Sequence, residues 1–270
     1  MKKISVLALA LALAIGVLAG CSSSGASSSA ASASASASSA SSAAASSESA
    51  SASASSAAAS SESASAAASS ASADASAAAE DPTPENPIVV DKAKGEIRYM
   101  GYVDGVYFTE DTRHGVVYEN GSNGHKTLIS GYGDEKEFYQ ACIDMGWTPG
   151  NNLTKDNMAG GDAAKSVEGE KLDVTIRWDG QDEIPFGDIY EATNGTTWTP
   201  DYRFGGNLAS AQKNNTGCVL CLDSCATGIT SDAYWPTGTT NPDNVTWFHG
   251  KADVLPPDHT NVIVIFRKAA

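Results

Sequence analysis

Ile97-Arg98-Tyr99-Met100-Gly101-Tyr102-Val103 is the stretch that decides the fold. Ile97, Tyr99, Gly101 and Val103 fall on one side of an extended chain, and Arg98, Met100 and Tyr102 fall on the other. That two-residue period belongs to a half-buried β-strand. Asp104-Gly105 follows, ahead of Val106-Tyr107-Phe108, and signals a hairpin. The same alternation returns at Leu172, Val174, Ile176 and Trp178 against Asp173, Thr175 and Arg177. A second hairpin is expected where residues 116–118 and 127–129 flank Asn120-Gly121-Ser122-Asn123-Gly124. Residues 262–266 form a continuous apolar run, the mark of a fully buried closing strand. One helix is expected, capped by Asp134 with Glu137 three residues on. Phe138, Ala141, Cys142 and Met145 share one face of it, and Gly146 ends it. A weaker helix is expected within residues 155–165. The expected fold is therefore α+β, mainly antiparallel β-sheet with one packed amphipathic helix, occupying residues 87–270.

Ahead of that domain the composition changes. Residues 81–86 (Asp-Pro-Thr-Pro-Glu-Asn) form a stiff boundary, because each proline fixes its own φ and restricts its predecessor. Of the 59 residues at 22–80, 54 are Ser or Ala, and AAASSESASA at 43–52 recurs at 57–66. A stretch without Leu, Ile, Val or aromatic residues buries too little apolar surface to offset its ordering entropy, so disorder is expected. As a flexible coil it would span roughly 40–45 Å. The chain begins with Lys2 and Lys3, an apolar run at 4–18, and Leu18-Ala19-Gly20-Cys21. This reads as a lipoprotein signal over residues 1–20 that ends at an acylated Cys21. Residues 21–80 then form the lipidated start and the tether, and the expected location is extracytoplasmic, on the cell membrane.

The formal charge is -15 overall. Residues 81–270 carry 15 basic and 28 acidic side chains, which disfavours nucleic acid as a partner. The expected partners are membrane lipid, through Cys21, and a cell-wall or envelope protein.

Four further cysteines follow. Cys142 lies on the apolar helix face, where a free thiol packs as a small hydrophobe. Cys218, Cys221 and Cys225 are spaced C-x2-C-x3-C, like the last three cysteines of a bacterial ferredoxin run. The missing first position is Asn215, and Ala226 stands where proline would follow. In an oxidising compartment a disulfide within the run is the first expectation. An iron–sulfur cluster, or a zinc or copper thiolate site completed by another side chain, is the alternative. Cys142, Asp223, His125 and His249 are the weaker ligand candidates. The expected second hairpin sets His125 opposite Glu119 and leaves His114 about 16 Å away along the ladder, at ~3.3 Å per residue.

The order of motifs over about residues 88 to 267 resembles the YdjY-type domain of exported bacterial proteins, often described as ferredoxin-like. The carrying residues are Val89-Val90-Asp91, Gly115-Val-Val-Tyr118-Glu119-Asn120 with His125-Lys126-Thr127-Leu128, and Met145-Gly146-Trp-Thr-Pro149-Gly150-Asn151-Asn152. Gly205-Gly206-Asn207, the cysteine run with Gly228-Ile229, and Val254-Leu255-Pro256-Pro257-Asp258 complete the pattern. Where the pattern has His-Glu this chain has His125-Lys126. The resemblance implies architecture and location rather than a mechanism. The expected function is a lipid-anchored, non-enzymatic binding or accessory module. Electron transfer or metal binding at Cys218, Cys221 and Cys225 is the alternative, and a wall-directed hydrolase is a third reading for which no motif is found.

Overall fold

The computed structural model describes residues 79–270. The expected signal segment, the expected lipidation residue Cys21 and residues 22–78 of the Ser/Ala-rich run lie outside the described residues. The strands are β1 (Ile88–Asp91), β2 (Glu96–Val103), β3 (His114–Tyr118), β4 (Ile129–Gly131), β5 (Lys171–Trp178) and β6 (Gln181–Pro185). They continue with β7 (Tyr190–Ala192), β8 (Tyr202–Phe204), β9 (Cys218–Cys221), β10 (Thr230–Asp232), β11 (Phe248–Gly250) and β12 (Asn261–Lys268). Among the described residues there are two α-helices, α1 (Glu135–Asp144) and α2 (Leu208–Asn214).

Eight strands close into a barrel in the order β2-β12-β5-β8-β10-β9-β3-β4, with β4 returning to β2. The β9–β10 and β3–β4 pairs are parallel and the other six are antiparallel. This corrects the expected mainly antiparallel sheet carrying a packed helix: the sheet is mixed and closed on itself. Closure satisfies backbone groups that an open sheet would leave along its edges. Its seam is made by small residues, with Gly101 of β2 opposite Gly131 of β4. A Cβ on Gly101 would lie 2.6 Å from the Ser130 carbonyl oxygen, and one on Gly131 would collide with the Tyr99 ring.

The individual strands follow their sequence periods. Ile97, Tyr99 and Val103 of β2, Leu172, Val174 and Ile176 of β5, and Val262, Val264 and Phe266 of β12 all enter the core. Asp134 caps α1 by accepting the Lys136 N–H at 2.7 Å. The helix buries Phe138 against Tyr99 and Phe266, with ring centroids 5.8 and 4.7 Å apart.

Both expected hairpins are absent. Asp104 instead caps a 3-10 turn at Gly105–Phe108, and the Gly105 N–H donates to Asp258 from the far end of the chain at 2.7 Å. Beyond β3 the chain loops back through residues 119–128, so that β4 runs parallel to β3. The helix expected within residues 155–165 is two 3-10 turns, Lys155–Ala159 and Gly161–Ala163. The start of the described chain is tied to the barrel: Arg98 bonds the Ala79 carbonyl at 2.9 Å and the Asp81 carboxylate at 2.8 Å.

Candidate metal centre

In a regular strand, residues three apart point to opposite faces. Cys218 and Cys221 nevertheless face the same way, because the β3–β9 ladder is irregular at two points. Between Val116 and Val117 the partner advances from Leu220 to Cys218, and between His114 and Val116 it advances from Cys221 to Leu220. Such bulges rotate side chains locally. The outcome is that His114, Cys218 and Cys221 bring one ligand atom each to within 4.8 Å of one another. The Cys218 Sγ lies 3.6 Å from the His114 Nδ1.

Cys225, in the loop between β9 and β10, lies outside that set of ligand atoms but packs in one buried group with Cys218, Cys221 and Val117, and Met158 packs against that group. All three cysteines are unbridged thiols, 0%, 0% and 4% exposed in chain order. The Cys218 Sγ also accepts from the Asn123 side-chain amide at 3.5 Å. Asn123 sits on the loop after β3, where Gly121 crosses the Gly217 backbone so closely that a Cβ would lie 2.6 Å from the Gly217 Cα.

The sulfurs share protons unequally. A hydrogen bond from Cys221 holds the Cys218 thiol well below its ordinary range despite burial, helped by His114 and Asn123. The Cys221 bond likewise lowers Cys225 to about 6, with the Arg113 cation assisting. Cys221 itself is pushed well above the ordinary range, chiefly as the donor to its two neighbours. Behind the group, burial opposes the Arg113 charge, but Asp223 and the sulfurs of Cys225 and Cys221 keep the guanidinium protonated.

The other sequence candidates lie elsewhere or are engaged. Both Asp223 oxygens accept from Arg113, at 2.8–3.1 Å, and one also accepts from Thr240 at 3.0 Å, so this carboxylate orients the arginine. Cys142 is in the main core on α1, in a different group from the other three, and burial raises its thiol well above the ordinary range. His125 does not pair with Glu119: its carbonyl accepts from the Tyr107 hydroxyl, while Glu119 takes the Tyr102 hydroxyl. His249 bonds Glu191 at 2.9 Å across the small sheet formed by β7 and β11. Asn215, at the vacant ferredoxin position, is the exposed left-handed residue that ends α2.

Sequence reasoning missed His114, Arg113, Asn123 and Met158. His114 is 104 residues from Cys218, and its position depends on a β3–β9 pairing that the expected hairpin obscured.

The described part of the chain is a closed mixed barrel with three buried cysteines and the half-buried His114 on one wall. The YdjY domain model matches residues 88–267, and the chain belongs to that family. It is 40% identical over 184 residues to the uncharacterized protein YdjY of Escherichia coli (strain K12), covering 68% of this chain and 79% of that protein. No solved structure matches it.

Proposed function

We propose that the domain is a non-enzymatic module that binds one soft metal ion through the grouped His114, Cys218 and Cys221, with Cys225 drawn in from the adjoining loop as the fourth donor, displayed outside the cytoplasm by a lipid on Cys21. The observation that carries this reading is the 3.6 Å separation of Cys218 Sγ and His114 Nδ1 within a buried group of three sulfurs. Bonds of ~2.3 Å to sulfur and ~2.0–2.1 Å to nitrogen, set at a tetrahedral angle, put the two ligand atoms about 3.6 Å apart. Three sulfurs and an imidazole are the donor set of zinc(II) or copper(I), not of calcium or magnesium. A ferredoxin-type cluster is less well supported, since it takes four thiolates and the fourth position is the exposed Asn215.

The test is metal stoichiometry of the intact chain, purified without oxygen and titrated with zinc(II) and with copper(I). One ion per chain is expected, and His114→Ala should weaken binding by more than about tenfold, the loss that even an outer partner of a metal ligand typically causes. Substoichiometric metal, together with an intact mass two protons lower, would replace this reading with a disulfide.

A further inference from the structure

Sulfurs buried this completely need a route by which an ion reaches them. A cavity of about 400 Å³ opens beside the group, lined by Lys155, Met158, Lys213, Thr216, Ala226 and Thr227 among others. Its inner wall touches the cysteines directly. The Thr227 Oγ1 is 3.3 Å from the Cys225 Sγ, and the Thr216 carbonyl is 3.9 Å from the Cys218 Sγ. Met158 belongs both to the cavity lining and to the packing around the three cysteines, and its Sδ accepts the Ala226 N–H at 3.5 Å. A thioether therefore stands between open space and the buried sulfurs.

We propose that this cavity is the loading port of the centre, that the ion loaded is copper(I), and that Met158 passes it inward from a small anionic thiol carrier. The proposal rests on the metal-binding reading above and names the ion, the route and the carrier chemistry. A neutral thioether is a ligand for soft copper(I), whereas zinc(II) is held by thiolate, imidazole and carboxylate. Lys155 and Lys213 on the cavity lining disfavour a bare cation and favour an anionic complex. His114 lines a second cavity, of about 260 Å³, together with Asp111, Arg113 and Lys126, and no sulfur lines it. In the transfer, the bond from copper to the carrier thiolate breaks as a bond to the Met158 sulfur forms. Bonds to Cys225 and Cys221 then replace the thioether. A thiol proton displaced from these cysteines goes to the carrier, which leaves as the free thiol. Copper stays in the +1 state throughout, so no electron donor or acceptor is involved.

The experiment follows stopped-flow loading of the intact, reduced chain by its copper–thiolate absorption. Two donors are compared, the anionic copper(I)–glutathione complex and the cationic copper(I)–acetonitrile complex. Met158→Leu, which nearly conserves volume, should slow loading from both donors by about tenfold or more while final copper and zinc stoichiometries stay unchanged. Lys155→Glu with Lys213→Glu should slow loading from the glutathione complex by about tenfold at low ionic strength and should not slow the acetonitrile complex. Unchanged rates in Met158→Leu would overturn the route and point to the His114 side. Equal slowing of both donors by the lysine changes would overturn the anionic carrier. A wild-type chain that binds zinc but not copper would overturn the choice of ion and leave the metal-binding reading standing, whereas a chain that binds neither would remove both.

Discussion

Asp232 is fully buried, and its carboxylate accepts from Trp198 Nε1, the Asp201 N–H and the Tyr234 N–H, each at 2.9 Å. Three donors do not compensate for the lost water: desolvation outweighs them and lifts the group to about 6. The sign of the pH effect follows. A carboxyl whose folded value lies above its unfolded one contributes stability that is present below about pH 4 and is lost as pH rises through about 6. Keeping Asp232 ionised at neutral pH thus costs on the order of 3 kcal/mol. Asp232→Asn does not titrate, so the stability of wild type relative to this variant should fall by roughly that amount between pH 4 and 7. Urea unfolding at several pH values measures it, and a difference that stays flat across the range would show that the burial cost has been misjudged. Nothing in the sequence marked Asp232, because two of its three donors, Trp198 and Asp201, lie some thirty residues earlier in the chain. His114 was hidden for the same reason. The cysteine run, by contrast, was legible at once, since its members are local in the chain.

Among the elements, those whose apolar pattern is local were readable and those defined by their partners were not. Residues 97–103 and 172–176 carry their period in the sequence and form β2 and β5, residues 262–266 carry an apolar run and form most of β12, and α1 carries a stripe and a cap. The short strands β4, β8, β9 and β10 have three or four residues each, too few for a period to show. Two of the parallel-pair members, β9 and β10, are also buried at every position, so no alternation exists to read. Asp104-Gly105 misled because its turn chemistry is satisfied by a 3-10 cap and a distant aspartate instead of a hairpin. The element that makes the fold a barrel is the β2–β4 seam, where a Cβ on Gly101 would press on the backbone of β4. Gly101→Ala should therefore cost about 1–3 kcal/mol by overpacking. For a domain of this size that lowers Tm by roughly 2–12 °C, readable by thermal unfolding. A Tm equal to wild type would mean that the seam tolerates the methyl group and that tight approach there does not hold the barrel shut.

At the scale of the whole molecule, net charge bears on how the domain would meet a membrane surface. Residues 81–270 carry 13 more acidic than basic side chains, so an anionic lipid surface repels this part of the chain. No helix among the described residues is long and apolar enough to cross a membrane. Under the proposed function the covalent lipid at Cys21 supplies the anchor, and the net acidic folded part adds no electrostatic attraction to it. Intact mass of the chain isolated from its native membrane should show residues 1–20 removed and acyl mass added at Cys21. Cys21→Ser should carry no acyl mass and should keep residues 1–20, since the thiol that accepts the lipid is gone. A chain beginning at residue 79 should partition wholly into the aqueous phase. A wild-type N-terminus elsewhere, or one without acyl mass, would remove the anchor from the proposal while leaving the metal centre untouched, because all four of its donors lie beyond residue 110.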